Sequence, residues 1–230
     1  MMKTHYVGHD GQYRRHKANG QVGWETAEVV EENLASLAAA LQATHMPQGG
    51  RVLEVGCGAG DLSLWLAAEG YSVQGVDISP TAVAWAREKA QARGLRAEFQ
   101  VGDVTNLTGY SADMFDLVLD GYCLHCIIGQ DRGAFLGSVY RVLKPGGIFH
   151  VRTMCDDPIT DACRQNYDPI SRCQVYGDIA TRYYGRASDI QAEVQAVGFQ
   201  VVVSTVERPR DQKGQDLLYL DARKPNDADL

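Results

Sequence analysis

Apolar residues in this chain fall into short unbroken runs, separated by stretches with helical spacing. Val29 to Ala43 reads as a helix, with Val30, Leu34, Leu37, Ala38 and Leu41 near one face. The turn at Pro47-Gln48-Gly49-Gly50 feeds a strand, Arg51 to Val55. Asp61 to Glu69 is a short helix ended by Gly70, and Tyr71 to Val76 is a second strand closed by Asp77. Ser79-Pro80 opens a helix that runs to Arg93 and stops at Gly94, because a capping hydroxyl precedes a proline at the first helical position. Ala97 to Val101 is a third strand, ending in Gly102-Asp103. Phe115 to Leu119 is a fourth, an apolar run of the kind buried on both faces of a parallel sheet. Arg132 to Leu143 is a helix stopped by Lys144-Pro145-Gly146-Gly147, and Ile148 to Thr153 is a fifth strand. A helix at Ser188 to Ala196 precedes strands at Phe199 to Glu207 and Leu217 to Ala222.

Strands alternating with helices specify a doubly wound α/β sheet, since parallel neighbours need crossover connections. Only Arg208 to Gly214 separates the last two strands, which predicts an antiparallel pair. Cys155 to Ala187 lacks periodicity and holds Tyr167, Tyr176, Tyr183 and Tyr184 together with Arg164, Arg172, Arg182 and Arg186. A long irregular segment inside a compact domain is usually functional or disordered, and this aromatic content argues against disorder. It predicts a partly helical substrate lid. The organisation expected is a cap or flap with the first helix over 1–50, then a main domain over 51–230 that carries the lid at about 155–187.

Composition narrows the class. Hydrophobic residues at 45% and charged residues at 22% are ordinary for a soluble globular protein. The formal net charge of −7 argues against a general nucleic-acid binder, which needs a basic footprint. No stretch approaches the roughly 20 apolar residues of a membrane span, and Met1 to Asn19 has no apolar signal core, so a cytoplasmic protein is expected. Six cysteines in a chain of 230 residues are too few for a disulfide scaffold and predict mostly reduced thiols.

The richest stretch runs from Val52 through Glu54 into Gly56-Cys57-Gly58-Ala59-Gly60-Asp61. So tight a strand-to-helix turn brings backbone close to a ligand. Asp61 stands where the dinucleotide pattern Gly-x-Gly-x-x-Gly needs its last glycine, which weakens a dehydrogenase reading. Asp77 ends the second strand, where a carboxylate can accept hydrogen bonds from two ribose hydroxyls.

With Glu54 two residues before the first glycine, this loop resembles motif I of the class I S-adenosylmethionine-dependent methyltransferases, of the small-molecule, type 11/12-like group. Lys144-Pro145-Gly146-Gly147 and the antiparallel final strand extend the resemblance, which covers roughly Arg51 to Phe149. It implies a Rossmann-like seven-stranded sheet, mostly parallel with an antiparallel last strand, plus an N-terminal helical flap. The implied cofactor is S-adenosylmethionine, leaving S-adenosylhomocysteine. Gly56, Cys57, Gly58 and Gly60 would approach its methionine and ribose portions. Glu54 would meet the ammonium group, with a helix-capping or salt-bridging role as the alternative. Ile78 would pack on the adenine face, Asp103 would bind the adenine amino group, and the Val104 amide would reach the ring. Asp120, through its carbonyl, and Tyr122 would border the sulfonium. Tyr13 or Trp24, in the aromatic segment His5 to Trp24, would close the flap near the methionine end.

Methyl transfer from a sulfonium chiefly requires alignment and exclusion of water, and a base only where the acceptor is protonated. His125 is the best base candidate because its reference pKa lies near 6.5; packing of the loop is the alternative. Cys123 and Cys126 invite a metal reading, but a structural zinc site needs a second ligand pair, so buried thiols are the simpler account. Arg182-Tyr183-Tyr184 is a candidate anion-reading and stacking cluster. The leading reading is a methyltransferase for a small-molecule acceptor at O, N or S, with no nucleic-acid or membrane partner, as a monomer or homodimer. Its rivals are a non-catalytic S-adenosylmethionine-binding regulator and a metal- or metalloid-binding thiol protein.

Overall fold

The computed structural model describes residues 4–209 and 214–226. Two helices, α1 (Val7–Ala18) and α2 (Ala27–Ala40), precede strand β1 (Arg51–Val55). The chain then alternates through α3 (Asp61–Ala68), β2 (Ser72–Asp77), α4 (Pro80–Arg93), β3 (Ala97–Val101), β4 (Phe115–Gly121), α5 (Asp131–Val142) and β5 (Leu143–Met154). An insertion holds α6 (Asp161–Arg164) and the short strands β6 (Tyr167–Asp168), β7 (Cys173–Tyr176) and β8 (Ile179–Tyr183). Helix α7 (Ala187–Ala196) and strands β9 (Gln200–Glu207) and β10 (Leu217–Arg223) complete it.

Seven strands form one sheet in the order β3-β2-β1-β4-β5-β10-β9. The first five are parallel neighbours, and β10 lies antiparallel between β5 and β9, as the sequence leads one to expect. Part of the connection between β9 and β10, 210–213, lies outside the described residues. The central strands are buried on both faces, while β9 at one edge is largely exposed. Leu53, Val55 and Val118 meet Phe135 and Val139 of α5, while Val52 and Leu117 meet Leu37 of α2 and Leu66 of α3. Neighbouring residues of one strand thus point into opposite layers. The helix ends follow local chemistry: Ser79 Oγ accepts from the Ala82 amide, Pro80 stands in the first turn, and Gly94 closes α4 at φ 64°.

Two elements depart from the pattern read in the sequence. Strand β5 starts before the Lys144-Pro145-Gly146-Gly147 run, because Leu143 already pairs with Phe115 while Ile148 pairs with Leu117. The intervening residues bulge out around Gly146, at φ 79°, whose amide donates to the Lys224 carbonyl. The insertion, expected to be partly helical, has one four-residue helix and is otherwise a small antiparallel sheet, β6-β7-β8. Left-handed backbone at Asn166 (φ 60°) and Arg172 (φ 54°) interrupts any helix there.

Helix α1 docks on the N-terminus of α4. Asp10 Oδ1 accepts from Ser79 Oγ at 2.7 Å and from the Thr81 amide at 2.9 Å. An anion at that helix end is favoured by the unpaired amides, and those bonds hold the Asp10 carboxyl well below the usual carboxylate range. Tyr13 is buried beside Ala59, Ala82 and Trp85. Among the described residues no helix is long and apolar enough to cross a membrane.

Gly60 caps α3 in the left-handed conformation at φ 80°, and a Cβ there would stand 2.9 Å from Ala86 Cβ and 3.0 Å from Phe99 Cζ. Gly60→Ala should destabilise by about 2–5 kcal/mol, from the left-handed penalty and overpacking together. The measurement is a thermal melt, where a midpoint within a degree of the parent would contradict this packing role.

Candidate active site

A cavity of about 510 Å³ opens at the carboxyl ends of β1, β2, β4 and β5, beneath α1 and the start of α2. Its place follows from topology. From β1 the chain winds outward to β2 and β3, then returns to β4 on the other side, and the crevice at that reversal is where such sheets take ligands.

Gly56 (φ 68°) and Gly58 (φ 52°) form its floor, and neither tolerates a side chain. A Cβ at Gly56 would lie 2.7 Å from Cys123 Cβ, and one at Gly58 would lie 2.5 Å from the Tyr13 hydroxyl oxygen. Tyr13 therefore sits directly on the glycine loop. Trp24 packs against it at 5.1 Å between ring centroids. Cys57, Ile78 and Val104 also line the cavity. Gly60 does not: it faces the packing between α3, α4 and β3 instead of a ligand.

Glu54 is 3% exposed and accepts from the Ser63 amide (2.9 Å) and the Ser63 hydroxyl, so it caps α3 while bordering the cavity. Burial pushes its carboxyl up to about 8, against the lowering effect of the Ser63 bonds. Asp77 is also buried in the wall. Its Oδ2 accepts from the Gly58 amide at 2.9 Å and its Oδ1 from the Ser79 amide at 2.8 Å. Burial raises its pKa while those two bonds oppose the rise. Asp103 and Asp120 stand behind the lining. Asp103 Oδ1 accepts from the Thr105 amide and hydroxyl and from the Tyr6 hydroxyl. Asp120 Oδ1 accepts from the Cys123 and Leu124 amides, its Oδ2 has no partner, and burial pushes its carboxyl up to about 7.

His125 lies in the wall on a single 3-10 turn, Leu124–Cys126. Two buried groups fix that turn: Asp120 holds its first amides, and Arg132 Nη1 donates to the Leu124 carbonyl (2.8 Å) and the Ile127 carbonyl (3.1 Å). Desolvation, with Arg182 and Arg132 adding to it, lowers the His125 pKa to about 3. The premise of an imidazole that titrates near neutrality does not hold here. His125 is neutral, with its Nδ1 unpartnered. Burial likewise keeps protons on its neighbours: the Tyr122 phenol and the Cys57 and Cys123 thiols are shifted up, and Cys126 is pushed up to about 11. All six cysteines are free, and among the described residues no group of three or more His, Cys, Asp or Glu is placed to hold a metal.

Arg152 is a cavity residue that the sequence does not flag, because nothing in the strand run around it marks a site. Its guanidinium lies 4.9 Å from the centre of the Tyr122 ring and 5.1 Å from that of Tyr219. Tyr122 holds this position with left-handed backbone (φ 72°), and its amide donates to the Arg152 carbonyl at 3.0 Å. Asn33, Tyr6 and His9 complete the wall from the N-terminal helices and their lead-in. The expected Arg182-Tyr183-Tyr184 cluster splits apart. Arg182 borders the cavity, Tyr183 lies under Arg132 at 4.4 Å, and Tyr184 is wholly buried.

Comparison with known proteins agrees with this geometry. Residues 52–147 match the family model described as a methyltransferase domain. Over 103 residues the chain is 35% identical to the 2-heptyl-1-hydroxyquinolin-4(1H)-one methyltransferase of Mycobacteroides abscessus, an overlap of 44% of this chain and 45% of that protein. Over 147 residues it is 31% identical to phosphoethanolamine N-methyltransferase 1 of Zea mays, covering 64% of this chain and 27% of that one. The chain spans less than half the length of the curated relatives it matches. In fold it resembles the 1,6-didemethyltoxoflavin-N1-methyltransferase of Burkholderia thailandensis, solved with 1,6-didemethyltoxoflavin and S-adenosylhomocysteine bound. The TM-score is 0.64 at 23% identity, over 86% of this chain and 78% of that one. With its glycine loop and central strands matched by that model and its seven-stranded sheet matched in topology, the chain carries a methyltransferase domain over residues 52–147 on the fold of the class I S-adenosylmethionine-dependent methyltransferases.

Proposed function

We propose that this protein binds S-adenosylmethionine and transfers a methyl group from it to an O, N or S atom of a small-molecule acceptor. The observation that carries this reading is the cradle at the end of β1, where two glycines in left-handed conformation expose backbone to the cavity between two buried carboxylates, Glu54 and Asp77. These groups suit the ligand's parts. Glu54 gains an ammonium partner for a carboxyl that is otherwise costly to ionise. Each Asp77 oxygen has one backbone donor and keeps a lone pair for a ribose hydroxyl. Ile78 and Val104 supply apolar surface for the adenine, Cys57 adds to the wall, and Tyr13 and Trp24 close over the methionine end.

When bound, S-adenosylmethionine supplies a methyl carbon on a positively charged sulfur. The protein's task is then to align the acceptor and keep out water. Gly60, Asp103 and Asp120 serve by bracing backbone, not by touching the ligand. Tyr122 and the neutral His125 border the acceptor end, His125 as a hydrogen-bonding group of low basicity. The N-terminal segment caps the donor end, and the insertion forms the lid over the acceptor end.

Calorimetric titration with S-adenosylhomocysteine tests the reading, and absence of binding would overturn it. Asp77→Ala should weaken that binding by at least about tenfold, since hydrogen bonds to a charged group are worth about 1.5–3 kcal/mol; unchanged affinity would refute a ribose role.

Glu54 adds a pH signature. With a pKa near 8 it holds a proton at neutrality, and a cationic partner lowers that pKa, so binding expels a proton. Affinity should therefore rise with pH towards about 8, and at neutral pH the binding heat should vary with the ionisation enthalpy of the buffer. Glu54→Gln should abolish the proton release; its persistence in that variant would assign the linkage elsewhere.

A further inference from the structure

Two guanidinium groups border the acceptor side of the cavity with no salt bridge among the described residues, although Glu25 lies near enough to Arg182 to feel its charge. Arg152 makes one hydrogen bond, from Nη1 to Asn33 Oδ1 at 2.7 Å, and its Nε has no partner. Arg182, on β8 of the insertion, makes one, from Nη1 to Gln174 Oε1 at 3.3 Å. The rings of Tyr122 and Tyr219 flank the Arg152 guanidinium, holding its orientation and shielding it from water. A guanidinium held in this way keeps its hydrogen bonds for its edges and suits a planar oxyanion.

Among the described residues, no acidic side chain of the cavity forms a salt bridge with either arginine. Glu32 and Glu207 are exposed at the rim, and Glu25 is half-buried beside Arg182, where burial weakens its acidity. Met154, Leu217 and the ring of Tyr122 add apolar and aromatic surface beside the arginines. Of the groups nearest the proposed acceptor end, His125 is neutral with low basicity, and Tyr122, Cys123 and Cys126 keep their protons. An acceptor that enters already deprotonated needs no base from these four groups.

Resting on the donor site proposed above, we propose that the acceptor is a planar, conjugated acid that enters as its oxyanion, a carboxylate, enolate or phenolate, anchored by Arg152 with Arg182 closing on it from the insertion. A lone pair of the conjugated anion forms the new bond to the methyl carbon as the carbon–sulfur bond breaks, and that bonding pair stays on sulfur. No proton moves. The product is neutral and loses its attraction to Arg152, which favours release.

Benzoate and its uncharged isostere benzamide are the probes, titrated by calorimetry into protein saturated with S-adenosylhomocysteine. Benzoate should bind, and benzamide should bind at least about tenfold more weakly, the scale of a lost charged hydrogen bond. Arg152→Gln should lose benzoate affinity by a similar factor while keeping parental affinity for S-adenosylhomocysteine. Arg152→Lys, which retains charge but not the fork, should fall between, and Arg182→Gln should show a smaller loss. Benzoate failing to bind the parent at millimolar concentration, benzamide binding as well as benzoate, or Arg152→Gln binding benzoate like the parent would each overturn the proposal. S-adenosylhomocysteine failing to bind the parent would overturn the donor-site reading instead. Its binding also reports folding in each variant, so if Arg152→Gln misfolds, Arg182→Gln carries the test: unchanged benzoate affinity there would count against the proposal.

Discussion

At the carboxyl ends of β1, β2 and β4 a buried carboxylate accepts hydrogen bonds from backbone amides of adjoining loops, and the shape of the cavity depends on those bonds. Glu54 holds the start of α3, Asp77 ties the glycine loop to the start of α4, and Asp120 holds the turn that carries His125. Each carboxylate is expensive to bury, which is why Glu54 and Asp120 have raised pKa values. Each also satisfies amides that a helix or turn start leaves unpaired. The sheet alone would leave these loops loose; the carboxylates make them one rigid rim.

The stretch Tyr122 to Cys123 joins the two halves of the cavity. The Cys123 side chain lies against Gly56 of the cavity floor, while the Tyr122 ring stacks near Arg152 on the proposed acceptor side. The left-handed backbone at Tyr122 makes this double contact possible, and such strain in a non-glycine residue is characteristic of sites where position matters more than comfort.

Most of the sheet and the floor of the site were legible in the sequence because their causes are local. Apolar runs marked β1 and β4, Ser79-Pro80 and Gly94 bounded α4, and acids after strands pointed to Glu54 and Asp77. What escaped depends on distant partners. Gly60 looks like its two neighbouring loop glycines, but Ala86 and Phe99 decide its role. His125 looks like a base until the burial around it is known. Arg152 sits inside a strand, and only Asn33, Tyr122 and Tyr219, drawn from three other parts of the chain, make it a site. The insertion gave no periodicity to read because its strands are at most five residues long.

The antiparallel insertion of β10 brings Tyr219 next to Arg152, and this divides the chain's information unevenly. Glu54, Gly56, Gly58, Asp77, Asp120, Tyr122 and His125 all fall within 52–147, the span shared with the family, whereas Asn33, Arg152, Arg182 and Tyr219 fall outside it. The glycine loop and the carboxylates around it are thus written in one continuous block, whereas Asn33, Arg152, Arg182 and Tyr219 of the proposed acceptor wall come from four separate segments. A lineage built this way can change its substrate without disturbing its methyl donor, and alignments anchored on the glycine loop will group proteins whose acceptors share no chemistry.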